Sequence, residues 1–236
     1  MEIVIYAAGL GSRLGKNIPK ALVEVGGKML IEHQLTAIGE VFPGIPVRIM
    51  AGYQYQLFKQ TIQALAWEKN PVSVHLNPFF ECGILGTAWT SLFAVNDPDI
   101  LRIDGDVYFT KEALIPLKNI RFSTILLTGV SHHKTTMAAF LNSRKSLKEI
   151  KIIKDYCGNS EWVCIERYLN GEYQKIVRHG VENLPLNAYY YEAMNMQTSN
   201  LTMKTRTVVN IYEIDTLQDL QVCEEYLAGK KANHGK

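Results

Sequence analysis

The sequence has few cysteines, and their arrangement excludes a common zinc site. Cys82, Cys157, Cys164 and Cys223 include no CxxC pair and no Cys/His cluster at the spacing that zinc sites use. Disulfides persist mainly in oxidising compartments, and nothing in this spacing indicates a disulfide framework. We therefore expect reduced, structural thiols in a cytoplasmic protein.

Long apolar runs and a strong charge excess are also missing. The N-terminus shows no basic segment followed by a long apolar one, so no signal peptide is predicted. No stretch approaches the roughly 20 apolar residues of a transmembrane helix. The formal net charge is only +2, whereas general nucleic-acid binders show a strong basic excess. We therefore expect no membrane insertion and no nucleic-acid partner, and any anion-binding site must be local.

The composition and the order of patterns favour an α/β fold. Of 236 residues, 47% are apolar, which is enough for a substantial core. Four strands are predicted at Glu2–Ala8, Val47–Ala51, Val72–Leu76 and Ile100–Ile103, with helices between them at Leu30–Val41, Gln54–Glu68 and Thr87–Ala94. Strands that alternate with helices through short links predict a Rossmann-like, mixed but mainly parallel sheet flanked by helices.

The second half of the chain reads as a smaller antiparallel part. Strands are predicted at Ser123–Val130, Met137–Leu141, Ile150–Lys154, Trp162–Arg167 and Tyr173–Ile176, and helices at Leu184–Met194 and Gln218–Leu227. We expect one domain over residues 1–228, with a nucleotide-binding half (1–122) and an acceptor-binding half (123–228). Residues 229–236 are expected to form a flexible tail.

The segment IYAAGLGSRLGKNIPKALVEVGG, residues 5–27, carries the strongest chemical signal. It follows the first strand, and ligands bind at the carboxyl ends of strands in open α/β sheets. Gly9 and Gly11 allow close backbone approach, and bare N–H groups in such a loop form an anion-binding concavity. Arg13 offers a fork of donors that suits phosphate, and Lys20 adds a point charge. The loop therefore predicts a phosphate site.

Three phosphate motifs compete for this loop. The dinucleotide fingerprint G-x-G-x-x-G fails because Leu14 occupies the third glycine position. The P-loop pattern fails because Asn17 follows Gly-Lys where serine or threonine is required. The pattern A-A-G-x-G-[ST]-R, followed after a few residues by P-K, matches in full.

This loop resembles the signature of nucleotidyltransferases of the glycosyltransferase-A-like fold, with the bacterial phosphocholine and phosphonate cytidylyltransferases closest. Members join a nucleoside triphosphate to a phosphate or phosphonate monoester and release pyrophosphate. Matching segments recur in order to Asp219, so the resemblance spans most of the chain. It implies that Arg13 clamps the β- and γ-phosphates and that Lys20 bridges phosphates near the reacting phosphorus, as the two catalytic residues. The implied nucleotide-binding residues of the loop are Ala8, Gly9, Gly11 and Ser12.

Two acidic segments are candidates for a magnesium site. Asp106, in LRIDGDVYF, follows a strand and aligns with the metal aspartate of the family, and Asp104 precedes it. Asp215, in VNIYEIDTLQDL, takes the place of the family's second metal-binding aspartate. Without the resemblance, the first segment reads as a turn and the second as a helix N-cap. The resemblance favours Mg²⁺, a cation that prefers oxygen ligands, and no general base is expected.

The acceptor and the base are specified less sharply. Glu161 and Trp162 resemble the Glu-Trp segment of phosphocholine cytidylyltransferases, in which an aromatic ring faces a quaternary ammonium, an attraction of about 0.5–2 kcal/mol. Tyr190 and Glu192 are further candidate acceptor residues, although Trp162 and the tyrosines also fit a packed core. The roles of His132 and His133, which have no counterpart in the family, stay open; Asn77 and Ser91 are candidate nucleotide contacts.

The resemblance favours CTP, with an amine-bearing acceptor such as phosphocholine or 2-aminoethylphosphonate. UTP or GTP with a sugar 1-phosphate or inositol phosphate is the alternative. A second alternative is a nucleotide-binding regulatory subunit, but the complete set of loop and carboxylate residues argues against that role. A glycosyltransferase with a DxD motif lacks such a loop. A homodimer is also expected.

Overall fold

The computed structural model describes residues 1–129, 135–156, 158 and 160–234. The strands are β1 (Glu2–Ala7), β2 (Glu24–Val25), β3 (Lys28–Met29), β4 (Val47–Ala51), β5 (Val72–Leu76), β6 (Ile100–Asp104), β7 (Val107–Tyr108), β8 (Thr124–Thr128), β9 (Thr135–Leu141), β10 (Leu147–Lys154), β11 (Glu161–Tyr168), β12 (Lys204–Val208) and β13 (Tyr212–Glu213). The helices are α1 (Leu30–Val41), α2 (Tyr55–Ala64), α3 (Ile84–Ser91), α4 (Lys111–Leu114), α5 (Glu172–Asn183), α6 (Tyr190–Gln197) and α7 (Leu217–His234). Short 3-10 turns cover Ser12–Leu14, Lys20–Leu22 and Ile115–Leu117.

One large sheet organises the described part of the chain. Strands β6, β1, β4 and β5 lie side by side and run parallel. Strand β11 joins β6 in the antiparallel sense and connects it to β9 and β10 on one path and to β8 and β12 on another. Two small antiparallel ladders, β2–β3 and β7–β13, stand apart. The predicted fold class, a mixed and mainly parallel sheet with a smaller antiparallel part, is confirmed.

Strand β1 shows why the sheet occupies the centre. All six of its residues are buried, including Ile3, Val4 and Ile5. A strand in a half-exposed sheet alternates apolar and polar residues, whereas a strand covered on both faces reads as a continuous apolar run. Burial of each such side chain contributes about 1.5–3 kcal/mol to the stability of the fold. The apolar run therefore places the loop after β1 at the end of a rigid, fully covered strand.

One predicted strand is wrong. Residues 173–176 belong to α5, which runs from Glu172 to Asn183. Its buried residues are Tyr173, Ile176, Val177 and Gly180, a spacing of three and four that follows the helical period. The predicted strand covered only the first turn of this helix, and a short apolar pattern of that length fits a strand and a helix equally well.

Several helix boundaries differ from the prediction, and α2 ends at Ala64 rather than at Glu68. Helix α6 begins at Tyr190 rather than at Leu184, since the Glu192 carboxylate accepts a hydrogen bond from the backbone N–H of Tyr189, at 2.7 Å, and thereby caps the helix. Helix α3 begins at Ile84, earlier than Thr87. Helix α7 continues to His234, beyond the predicted end. The division into two functional halves stays a prediction.

Among the described residues, no helix combines the length and the apolar character that a bilayer crossing requires. Cys82, Cys164 and Cys223 are free thiols, and Cys157 lies outside the described residues.

Candidate active site

The loop after β1 turns sharply at glycine. Gly11 has φ +65°, in the left-handed region, and a Cβ there would lie 3.4 Å from the carbonyl oxygen of Ile18. Only glycine adopts this conformation without strain. Leu14 is buried and anchors the loop, while Gly9 and Ser12 are exposed. The loop therefore presents backbone to solvent from an anchored base.

A two-residue ladder brings together carboxylates that are far apart in sequence. In the β7–β13 pair, Glu213 lies opposite Val107. The backbone N–H of Ile214 donates to the carbonyl oxygen of Asp106 at 2.9 Å. As a result, Asp106 and Asp215 face the same point beside the β1 loop.

Both predicted cations meet these carboxylates. The Lys20 ammonium donates to Asp106 Oδ2 at 2.7 Å and also to Asp215 Oδ1. The Arg13 guanidinium binds both oxygens of Asp215, at 3.0 and 2.9 Å. Four residues predicted from three separate segments thus form one contiguous cluster.

Lys20 carries a fixed positive charge. Burial by itself lowers the pKa of Lys20, but the adjacent charges of Asp106 and Asp215 outweigh burial and raise that pKa well above its usual value. The ammonium is therefore protonated throughout the neutral range. Arg13 differs in its surroundings, since its side chain is 69% exposed and lies at the mouth of the cluster.

Glu213 completes a group of three carboxylates and was missed in the sequence. One oxygen each from Asp106, Glu213 and Asp215 lies within 4.8 Å of the other two. Burial, followed by the charges of Asp106 and Asp215, raises the pKa of Glu213 well above its usual value. Alternation along a strand offered a signal, because residues two apart share a face.

The carboxylate group fits a divalent cation. Asp106 Oδ1 is buried and has no hydrogen-bond partner among the described residues, and a buried acceptor without a partner is unfavourable. Hard divalent cations such as Mg²⁺ bind carboxylate oxygens. A cation held by Asp106, Glu213 and Asp215 would also reduce the repulsion among them.

A buried amide fixes the turn that carries Asp106. Gln34, on α1, is fully buried, and its Nε2 donates to the carbonyl oxygens of Asp104 at 2.9 Å and Val107 at 2.8 Å. Within this turn, a Cβ at Gly105 would lie 2.8 Å from the carbonyl oxygen of Tyr6. The turn is therefore held on both sides of Asp106, and we infer that Gln34 is a positioning residue.

Substitution Gln34→Leu is expected to raise the Mg²⁺ concentration for half-maximal activity several-fold, because the turn loses both hydrogen bonds. Asn70→Leu is a matched control. The Asn70 amide is also buried and donates to two carbonyl oxygens, those of Phe42 and Ile45, at 2.7 and 2.9 Å. Each variant is expected to lose about 1–3 kcal/mol of unfolding free energy, and only Gln34→Leu should shift the Mg²⁺ titration. An equal shift in both variants would assign Gln34 to stability alone.

Two of the predicted acceptor residues surround an internal cation. Arg102 is fully buried and binds both oxygens of Glu166, at 2.9 and 2.8 Å, and also Asp104. Its guanidinium carbon lies 4.6, 5.6 and 4.3 Å from the ring centres of Tyr6, Trp162 and Tyr190. Trp162 is only 2% exposed, so an external cation could reach this ring face only after repacking.

The other predicted residues are tied to protein groups. Asn77 is buried and donates to Thr87 Oγ1 at 2.9 Å, which fastens the end of β5 to α3. Ser91 is buried and donates to the carbonyl oxygen of Ala88 at 2.7 Å. Glu161 is buried at the start of β11, and Glu192 caps α6. Their direct roles in binding stay predictions. His132 and His133 lie outside the described residues.

Fold and site together define a class. A phosphate-type glycine loop, two cations and a carboxylate cluster stand at the carboxyl ends of parallel strands, an arrangement suited to nucleotidyl transfer. Residues 3–119 match the MobA-like NTP transferase domain. The chain carries this domain and is an enzyme of the nucleotidyltransferase class.

Solved structures with the same fold cover nearly the whole chain. The CTP:phosphocholine cytidylyltransferase of Streptococcus pneumoniae is 22% identical, with a TM-score of 0.73, and the match covers 96% of this chain and 98% of that one. The inositol-1-phosphate CTP transferase of T. maritima is 17% identical, with a TM-score of 0.76 and coverage of 94% and 93%. The UDP-glucose pyrophosphorylase of Acinetobacter baumannii is 15% identical, with a TM-score of 0.73 and coverage of 95% and 92%. At these identities the comparisons establish the fold.

Proposed function

We propose that the enzyme transfers CMP from CTP to a small phosphate or phosphonate monoester, with Mg²⁺, and releases pyrophosphate. The acceptor that we favour bears an amine, as in phosphocholine or 2-aminoethylphosphonate. The observation that carries the proposal is the cluster of Lys20 and Arg13 with three carboxylates beside the glycine loop. We also place the enzyme in the cytoplasm, where CTP is available.

The reaction needs positioning and charge screening rather than a general base. A phosphate oxygen of the acceptor is ionised at neutral pH and attacks the α-phosphorus of CTP in line. The new P–O bond forms as the bond to the bridging oxygen of the β-phosphate breaks, and pyrophosphate leaves. Lys20 reduces the repulsion between the two anions, and Arg13 exchanges its contact with Asp215 for oxygens of the triphosphate. Mg²⁺ held by the carboxylates supplies further neutralisation of the triphosphate charge.

Support for CTP comes from similar structures. Two of the three neighbours described above are named for reactions with CTP, and the third is named for UDP-glucose. The proposal therefore rests on the cluster for the reaction and on these neighbours for the base.

Exposed aromatic rings near α3 favour an amine-bearing acceptor. The rings of Tyr189 and Tyr191 are stacked, with centroids 5.5 Å apart, and Tyr189 is 55% exposed. The segment before them packs on the start of α3, where the N–H of Gly86 donates to the carbonyl oxygen of Leu186 at 3.0 Å. An exposed ring face attracts a substituted ammonium. This pair, unlike Trp162, needs no repacking to meet a ligand.

The direct test is pyrophosphate release with Mg²⁺, using CTP, UTP, GTP and ATP against a panel of acceptors. The panel contains phosphocholine, 2-aminoethylphosphonate, inositol 1-phosphate and glucose 1-phosphate. Release with CTP and an amine-bearing acceptor is the expected result. Release only with inositol or sugar phosphates would support the proposed reaction and contradict the amine-bearing acceptor. Release only with UTP would contradict the choice of CTP.

A second measurement tests the aromatic pair. With phosphocholine as acceptor, Tyr189→Ala is expected to raise the acceptor KM about two- to fivefold, the loss of one exposed cation–π contact. The KM for CTP should stay constant. Phe93→Ala is the control, because Phe93 is an exposed ring at 78% after α3, outside the pair. Unchanged acceptor KM in Tyr189→Ala would remove this pair from the proposal. The expected homodimer stays a prediction.

A further inference from the structure

A second concave site lies away from the carboxylate cluster. It is a cavity of about 490 Å³ lined by residues 119–122, 124, 144–145 and 204–206, which we call the basic cavity. Strands β8 and β12 begin there and run in the same direction as β6, because both β6 and β8 are antiparallel to β11 and β12 is parallel to β8. The carboxylate cluster follows the carboxyl end of β6, so the basic cavity is at the opposite edge of the sheet.

The charge of this cavity has one sign. Five cations line it, and no acidic residue does; they are Arg121, Arg144, Lys145, Lys204 and Arg206. Among the residues that the structure describes, none of the five forms a salt bridge with a carboxylate. The net charge of the whole chain is only +2, so this accumulation is local. Like charges gathered without counter-charge repel one another, and a bound anion relieves that repulsion.

The cations are held by defined contacts. Asn142 Oδ1 accepts hydrogen bonds from the backbone N–H groups of Arg144 and Ser146, at 2.9 and 3.1 Å, and so fixes the turn between β9 and β10. Lys204 Nζ donates to the carbonyl oxygen of Arg144 at 3.1 Å and to Ser146 Oγ at 2.9 Å. These acceptors are neutral, so they do not offset the positive charge of Lys204. The turn and the start of β12 therefore form one wall of fixed shape.

The side chains that line the basic cavity indicate which kind of ligand it binds. Guanidinium groups suit phosphate oxygens, and lysines add point charges. Phe122, at the rim, is 51% exposed and offers an apolar face beside the cations. The volume falls within the range of small-molecule sites. We propose that the basic cavity binds a small molecule that carries several phosphate-type negative charges, at a site separate from the active site.

Titration calorimetry with inorganic tripolyphosphate, without metal and at low salt, tests this proposal. Lys145→Gln/Arg206→Gln is expected to weaken binding at this site at least about tenfold, with pyrophosphate release unchanged in the absence of the probe. Lys148→Gln/Lys154→Gln is the matched control, since it removes two exposed cations of β10 outside the cavity. Arg13→Gln separates the sites, because it weakens the glycine loop and should leave cavity binding intact.

Three results would overturn the proposal. The first is an affinity in Lys145→Gln/Arg206→Gln within twofold of wild type. The second is an equal loss in the Lys148→Gln/Lys154→Gln control, which would reveal a general charge effect. The third is complete loss of tripolyphosphate binding in Arg13→Gln, which would place all binding at the glycine loop. Within the first result, a loss of binding to phosphatidylglycerol vesicles in the same variant would assign the surface to a lipid contact.

Discussion

Lys20→Met is expected to lower kcat for pyrophosphate release by roughly 100- to 1000-fold, the usual cost of removing one preorganised charge or donor from a transition state. The ammonium lies 2.7 Å from Asp106 and also contacts Asp215, so it is positioned where a triphosphate meets the metal ligands. Lys16→Met is the matched control, because Lys16 is an exposed lysine of the same loop. Its kcat should stay within about twofold of wild type.

A second prediction for Lys20→Met concerns its stability. Without Lys20, three carboxylates face one another and, among the described residues, Arg13 alone pairs with them, so Lys20→Met should unfold at lower temperature. Added Mg²⁺ should then raise its melting temperature more than it raises that of wild type, since a cation replaces the missing charge. A fully active Lys20→Met enzyme would remove Lys20 from the catalytic machinery. Equal Mg²⁺ effects on both proteins would separate Lys20 from the cation site.

Asp106→Asn is expected to lower kcat/KM for CTP by roughly 100-fold or more and to raise the Mg²⁺ concentration for half-maximal activity. The buried Oδ1 of Asp106, which has no described hydrogen-bond partner, is the reason for expecting a direct ligand. High Mg²⁺ should restore part of the activity, because the amide keeps one oxygen. A Mg²⁺ titration of initial rates measures both effects.

Glu24→Gln provides the control, since Glu24 is an exposed carboxylate on β2 outside the cluster. Its Mg²⁺ titration should overlay that of wild type. Reduced activity in Asp106→Asn with an unchanged Mg²⁺ titration would show that Asp106 acts on Lys20 alone and would contradict the metal assignment.

The loop motif and the family resemblance located four of the five charged residues of the cluster, and the positions of these residues along the backbone explain why they meet. Arg13 and Lys20 belong to a loop that must follow a strand, and Asp106 follows the neighbouring parallel strand. Glu213 was missed although it precedes Asp215 by only two residues. The role of Gln34 could not be predicted from the sequence, because it depends on the packing of α1 against one particular turn. No local sequence pattern encodes that contact.

Predictions based on single side chains were less secure. The family resemblance suggested that the face of Trp162 meets an ammonium ion from outside, which stays a prediction; in the structure the guanidinium of Arg102 lies 5.6 Å from the centre of that ring. Arg102 stands inside an apolar strand, where its charge needs Glu166 on the next strand to be tolerated. That pairing joins residues far apart in the chain, and a tertiary contact of this kind cannot be read from spacing.

The aspartates on either side of Gly105 have different partners. Burial raises the pKa of Asp104 to about 6, although the adjacent Arg102 acts to lower it, and Asp104 contacts that arginine within the sheet. Asp106 contacts Lys20 in the cleft. The sequence Asp-Gly-Asp therefore suggests a pair of metal ligands, yet only the Asp106 carboxylate faces the cleft. Glu213 of β13 and Asp215, two residues after it, supply the other carboxylates, so the cation site is complete only when the C-terminal part of the chain has folded against β7.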